Sequence, residues 1–121
     1  MPAHSPEVAM VIGTRILTLR TEAGEVPVPV TIYGPEAGTD GGWLCRYEIG
    51  WPDELRVSVA GGVDALQAVH LTMQKIAVDL YTSDEHREGR LSWSGQGGGY
   101  GFPMPKGGRD LLVGFDKQFD G

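Results

Sequence analysis

Asp79, Asp84, Glu85, His86 and Glu88 form the densest grouping of chemically capable side chains in the sequence. Carboxylates and imidazoles ligate metals, but no His-x-x-x-His or Cys-x-x-Cys pair is present to set a coordination geometry. The run is therefore expected to be a solvated helix end that holds no metal. His70 has Gln74 one turn on and reads as a half-buried, hydrogen-bonded histidine rather than a general base. The lone Cys45 cannot form an internal disulfide; it fits a reducing compartment and a buried, unreactive position. Nothing resembles a nucleophile elbow. No catalytic residue and no cofactor are assigned, and the reading leans away from an enzyme.

Ten of the nineteen glycines fall in residues 89–121, and the stretch 94–108 cannot be a regular helix or a central strand. Glycine backbone can approach a phosphate and present N–H groups to it. The spacing does not follow through, because a dinucleotide fingerprint counted from Gly95 or Gly97 ends on Tyr100 or Phe102. A Walker loop needs Gly-Lys-Ser or Gly-Lys-Thr, whereas Lys106 stands between Pro105 and Gly107. Two readings of the segment remain. In one it is an irregular surface loop with Tyr100 and Phe102 docked on the body. In the other, Gly95–Gly108 covers the site of a small-molecule- or anion-binding domain or of a small enzyme, with Tyr100, Lys106 and Arg109 near an anionic ligand.

These residues must be positioned by a sheet and one helix. Val8 to Arg20 is rich in β-formers, and Glu22-Ala23-Gly24 turns it into Val26, Val28, Val30 and Ile32, which alternate with Pro27, Pro29, Thr31 and Tyr33. Pro27 and Pro29 lack N–H groups on the same side, so this second strand is expected to be an edge there. A polar loop from Gly34 to Gly42 precedes a third strand with Trp43, Cys45, Tyr47, Ile49 and Trp51 on one face, where core packing is the expected role of the tryptophans. Pro52-Asp53-Glu54 then leads to a fourth strand in which Leu55, Val57 and Val59 alternate with Arg56, Ser58 and Ala60. The second face of this sheet is expected to carry Thr31, Tyr33, Arg46, Glu48, Arg56 and Ser58, suited to water or a polar partner.

Asp64 with Gln67 three residues on has the form of a helix N-cap with its capping box. Val63, Leu66, Val69, Met73, Ile76, Ala77 and Leu80 follow at helical spacing and predict one apolar stripe facing the sheet. Leu71 and Val78 fall outside it on a common flank and need a second partner. Either Leu111-Leu112-Val113-Phe115 folds back over them, or a second copy makes a homodimer there. The helix, or a short continuation, is expected to end before Gly89, and Arg90-Leu91-Ser92-Trp93-Ser94 reads as a short fifth strand. The fold class is thus α+β: a single domain over 1–121, in which an antiparallel sheet of four to five strands packs on one long helix.

Composition narrows the partners. Leu, Ile, Val and Phe make up about 24% of 121 residues, enough for a folded core. Sixteen acidic residues against ten basic ones leave a net charge of −6. The nearest thing to a basic patch is Lys106-Gly107-Gly108-Arg109, so nucleic acid is not an expected partner. No apolar run approaches a membrane span and the N-terminus does not read as a signal peptide, so a cytoplasmic protein is expected.

With this order of features in hand, the chain resembles a family of small bacterial domains to which no activity is assigned. The resemblance rests on Gly42-Trp43-Leu44-Cys45, Gly62-Val63-Asp64-Ala65-Leu66-Gln67-Ala68, Gly89-Arg90-Leu91-Ser92-Trp93 and Gly101-Phe102-Pro103. It implies a small bacterial domain and carries no catalytic residue or cofactor to these positions. The function expected is a non-enzymatic binding or accessory module acting through protein–protein contacts.

Overall fold

The computed structural model describes residues 10–94 and 99–105. It is an α+β fold, an antiparallel sheet with one main helix laid on one of its faces. Strands β1 (Val11–Thr21) and β2 (Gly24–Tyr33) form a long hairpin, with Thr21 paired to Gly24 across its turn. β4 (Trp43–Trp51) and β5 (Glu54–Gly62) form a second hairpin, and two-residue strands β3 (Glu36–Ala37) and β6 (Leu91–Ser92) pair with β4 and β1 respectively. The hairpins join through β2 and β4 over Val30–Ile32 only. That ladder stops at Pro29, which has no N–H to donate to a strand neighbour's carbonyl and whose ring lies against Gly50; a Cβ on Gly50 would stand 3.1 Å from Pro29 Cγ. The two prolines thus leave β2 without a ladder to β4 beyond this point, as their missing donors require.

Helix α1 (Ala65–Tyr81) starts where Asp64 accepts from the Gln67 N–H at 2.8 Å. Gln67 Oε1 returns to the Val63 N–H, one residue before the cap, so the reciprocal bond of the capping box is displaced by one position. The face on the sheet is Ala68, Thr72, Ile76, Ala77, Leu80 and Tyr81, with Val69 and Met73 partly buried beside it. Val63 and Leu66, expected in the stripe, are instead 77% and 82% exposed. The small side chains Ala68, Thr72 and Ala77 let the helix backbone approach the sheet closely, and this rotates the contact face away from Leu66. His70, expected to be half-buried, is exposed for the same reason. A short helix α2 (Asp84–Arg87), capped by Ser83, continues the chain before Gly89.

β5 has the opposite phase to the one expected. Trp51 pairs with Glu54 across the two-residue turn, so Arg56, Ser58 and Ala60 fall opposite Ile49, Tyr47 and Cys45 on the helix side. Leu55, Val57 and Val59 therefore face outward and are 60%, 50% and 46% exposed. A directly paired residue shares its partner's face, so the turn length decides the phase. Arg56 and Ser58 can face α1 because they lie at the periphery of the helix, where polar groups of α1 receive them.

The core cluster joins Leu17, Val28, Val30, Cys45, Tyr47 and Ile49 of the sheet to Ile76, Ala77 and Leu80 of α1, and extends over Tyr100, Phe102 and Met104. None of these last three is more than 7% exposed. Burying side chains of this size contributes about 1.5–3 kcal/mol each, so residues 99–105 are part of the core and not a surface loop over it. The docking of Tyr100 and Phe102 on the body follows the expectation; Met104 was not foreseen.

Candidate functional site

The sheet face turned away from α1 exposes apolar side chains among polar ones. The register aligns one apolar row across four strands: Ile16 opposite Pro29, Pro29 against Gly50, and Gly50 opposite Leu55. Thr14, Thr31, Glu48 and Val57 make the next row, with the Thr14 and Thr31 hydroxyls 3.4 Å apart. Beyond it the Arg46 guanidinium stacks on the Tyr33 ring at 4.1 Å, opposite Val59, while the Tyr33 hydroxyl donates to Glu48. That bond to a carboxylate holds the Tyr33 proton more tightly, raising its pKa. Arg46 Nε is buried and has no hydrogen-bond partner among the described residues. Leu44, 52% exposed, completes the face beside Gly61.

On the other side of the sheet, a polar chain ties β5 to α1. Lys75 Nζ donates to Ser58 Oγ at 3.0 Å and to the Val59 carbonyl at 2.9 Å. Tyr47 donates to Asp79, which also accepts from Arg56 Nε at 2.8 Å. Burial raises the Tyr47 pKa and its bond to Asp79 raises it further; the same carboxylate raises the pKa of Arg56. Lysine, serine and tyrosine are chemically capable groups, and here Lys75 donates to β5 twice while the Tyr47 hydroxyl donates to Asp79. These bonds attach the edge strand β5 to the helix.

Tyr100 lies 2% exposed, with its hydroxyl on His86 Nδ1, and Tyr81 contacts both rings edge-on at centroid distances of 4.7 and 5.3 Å. Lys106 and Arg109, expected beside it at an anion site, lie outside the described residues. Arg15, which the sequence did not single out, holds the segment down: Nη1 donates to the Tyr100 carbonyl at 3.0 Å, and the guanidinium lies 4.2 Å from the Trp93 centroid and 4.7 Å from that of Phe102. Its only sequence signal was a charge at a position whose neighbours Leu17 and Leu19 face inward. A depression of about 310 Å³ adjoins it, lined by Gly13, Arg15, Val30, Ile32, Met73 and Phe102, and its walls are mainly apolar.

Burial lowers the pKa of His86 below its ordinary 6.5. The folded state therefore favours the neutral ring. This contribution to stability is whole above pH 6.5 and is lost as pH falls below it toward the lowered folded value. Urea midpoints measured at pH 7.5 and 5.5 should fall more in the wild type than in His86→Gln, whose side chain does not titrate; equal losses would show that His86 does not carry the effect.

The acidic run does not converge. Asp79 belongs to the Tyr47 pair, Asp84 bonds Arg87, and Glu88 bonds Arg90 at 2.7 Å. Among the described residues no three His, Cys, Asp or Glu side chains are grouped to hold a metal ion. Cys45 is buried, with Sγ donating to the Tyr33 carbonyl at 3.3 Å. Leu71 is half-buried and Val78 is 38% exposed, both along a groove between α1 and β5. No helix among the described residues is long and apolar enough to cross a membrane.

No curated protein and no solved structure matches the chain. A family model does, described as a domain of unknown function, DUF6968, and it takes in β1 almost whole, both hairpins, α1 and the buried segment through Met104. With residues 13–104 matched, the chain belongs to the DUF6968 family.

Proposed function

We propose that this domain is a non-enzymatic accessory module that binds a partner protein through the open face of its sheet. The observation that carries the reading is the outward phase of β5, which adds Leu55, Val57 and Val59 to Ile16 and Leu44 on one face, each 46–60% exposed. Contiguous exposed apolar surface rimmed by polar groups is a mark of interaction sites. Thr14, Thr31, Tyr33, Arg46 and Glu48 supply such groups within the same face, and a partner's carboxylate or carbonyl would meet the Arg46 guanidinium there. The buried Cys45 suits a reducing compartment, and the proposed setting is the cytoplasm.

The test is a photo-crosslinking residue placed at Val57, with Leu66, 82% exposed on the helix, as the control position. Exposed to lysate of the native host, the Val57 probe should give a discrete adduct that the Leu66 probe does not. A second substitution, Ile16→Asp, should abolish the adduct while changing stability by no more than about 0.5 kcal/mol, because Ile16 is exposed. Equal adducts from both probes, or none from Val57, would overturn the reading. An adduct of twice the chain's mass would make the partner a second copy.

A further inference from the structure

The flank of α1 forms a groove with β5, a concavity of about 470 Å³ lined by Val59, Leu71, Lys75, Val78 and Asp79 among others. Pro105 lines it as well, so the chain leaves the described residues at the groove itself. Sixteen residues follow, 106–121, among them Leu111, Leu112, Val113 and Phe115. We propose that the groove is the docking site of this chain's own C-terminal segment, with Leu111–Phe115 laid along α1 over Leu71 and Val78. The proposal concerns a different surface from the open sheet face and does not depend on the reading given for it.

Three features select this occupant. Reach is the first: Leu111 is six residues from Pro105, up to ~20 Å of extended chain, enough to span the groove that Pro105 lines. Length is the second, since Leu71 and Val78 are seven residues apart, ~10 Å along a helix, and an extended Leu111–Phe115 spans ~13 Å. Charge is the third. Arg109-Asp110 precedes the apolar run and Asp116-Lys117 follows it, so charged residues bound the apolar run at both ends and limit what the groove would cover to Leu111–Phe115. A tethered segment also binds at high effective concentration, which an external partner would have to exceed.

The test measures alkylation of Val78→Cys in the full-length protein, with Leu66→Cys on the same helix as the exposed reference and the buried Cys45 as a check on folding. The Val78→Cys thiol should react at least about tenfold more slowly than the Leu66→Cys thiol. Adding Leu112→Asp and Phe115→Asp should restore its rate while Cys45 stays unreactive. Reaction as fast as the reference would show an open groove and overturn the proposal. Protection that survives the two aspartates, or that fades on dilution, would assign the groove to another element or to a second copy, and would overturn it equally.

Discussion

Replacing Gly62 with alanine should cost about 3 kcal/mol of folding stability, the upper end for forced overpacking. A Cβ at this position would lie 2.5 Å from the Ala68 backbone nitrogen and 3.0 Å from its Cα. Those atoms belong to the first turns of α1, so no flexible side chain can give way. The helix start must move, and with it the Asp64 cap and the close approach of Ala68 to the sheet. The neighbouring Gly61→Ala provides the control. Its Cβ would meet only Leu44 Cδ2 and the Trp43 carbonyl at 3.6 Å, ordinary contact distances, and its effect should stay within about 0.5 kcal/mol. Urea unfolding of the two variants compares them directly, and a Gly62→Ala midpoint equal to that of Gly61→Ala would contradict the packing described.

Gly101→Ala should be as damaging, for two reasons that add. Gly101 has φ of 81°, a conformation that costs a residue with a side chain about 1–3 kcal/mol. Its Cβ would also stand 2.6 Å from both Arg15 Nη1 and the Trp93 ring. The clash falls on the clamp that holds residues 99–105, so Tyr100, Phe102 and Met104 should lose protection first. Gly24→Ala separates the two causes: φ there is 113° but nothing lies within 4 Å of the added carbon, so only the backbone cost applies. Hydrogen exchange should show residues 99–105 opening in Gly101→Ala and unchanged in Gly24→Ala. If both variants lost the same stability and the segment stayed protected, Arg15 and Trp93 would not form the clamp.

The proposed binding face and the helix groove lie on different surfaces of one small domain, and both depend on β5. Its outer side chains supply the apolar row, while Arg56, Ser58 and the Val59 carbonyl fasten the same strand to α1 through Asp79 and Lys75. Rigid attachment of an edge strand keeps the exposed Leu55, Val57 and Val59 in a fixed array. Lys75 on the Val59 carbonyl places a charge at an edge strand, one of the ways edges are protected from pairing with another chain.

Local rules were enough to read much of this protein. Strict alternation in Val26–Tyr33 and Trp43–Trp51 identified the two central strands and their buried faces, because a half-buried strand must repeat every two residues. Asp64 and Gln67 marked the helix start, since an exposed run of N–H donors needs an acceptor at a defined offset. Pro27 and Pro29 told where β2 would lack a ladder. What the sequence left open was everything that depends on the relation between elements. β5 alternates apolar and polar residues in either phase, and only its pairing across a two-residue turn decides that Val57 faces out and Ser58 in. Helix α1 carries apolar residues around much of its circumference, and the steric fit of Ala68 against Gly62 chooses Thr72 over Leu66 for the core. In residues 99–105 the large apolar side chains Tyr100, Phe102 and Met104 alternate with Gly101, Pro103 and Pro105, but what that alternation packs against is settled by Arg15, eighty-five residues from Tyr100, reaching a carbonyl that no local pattern could connect to it.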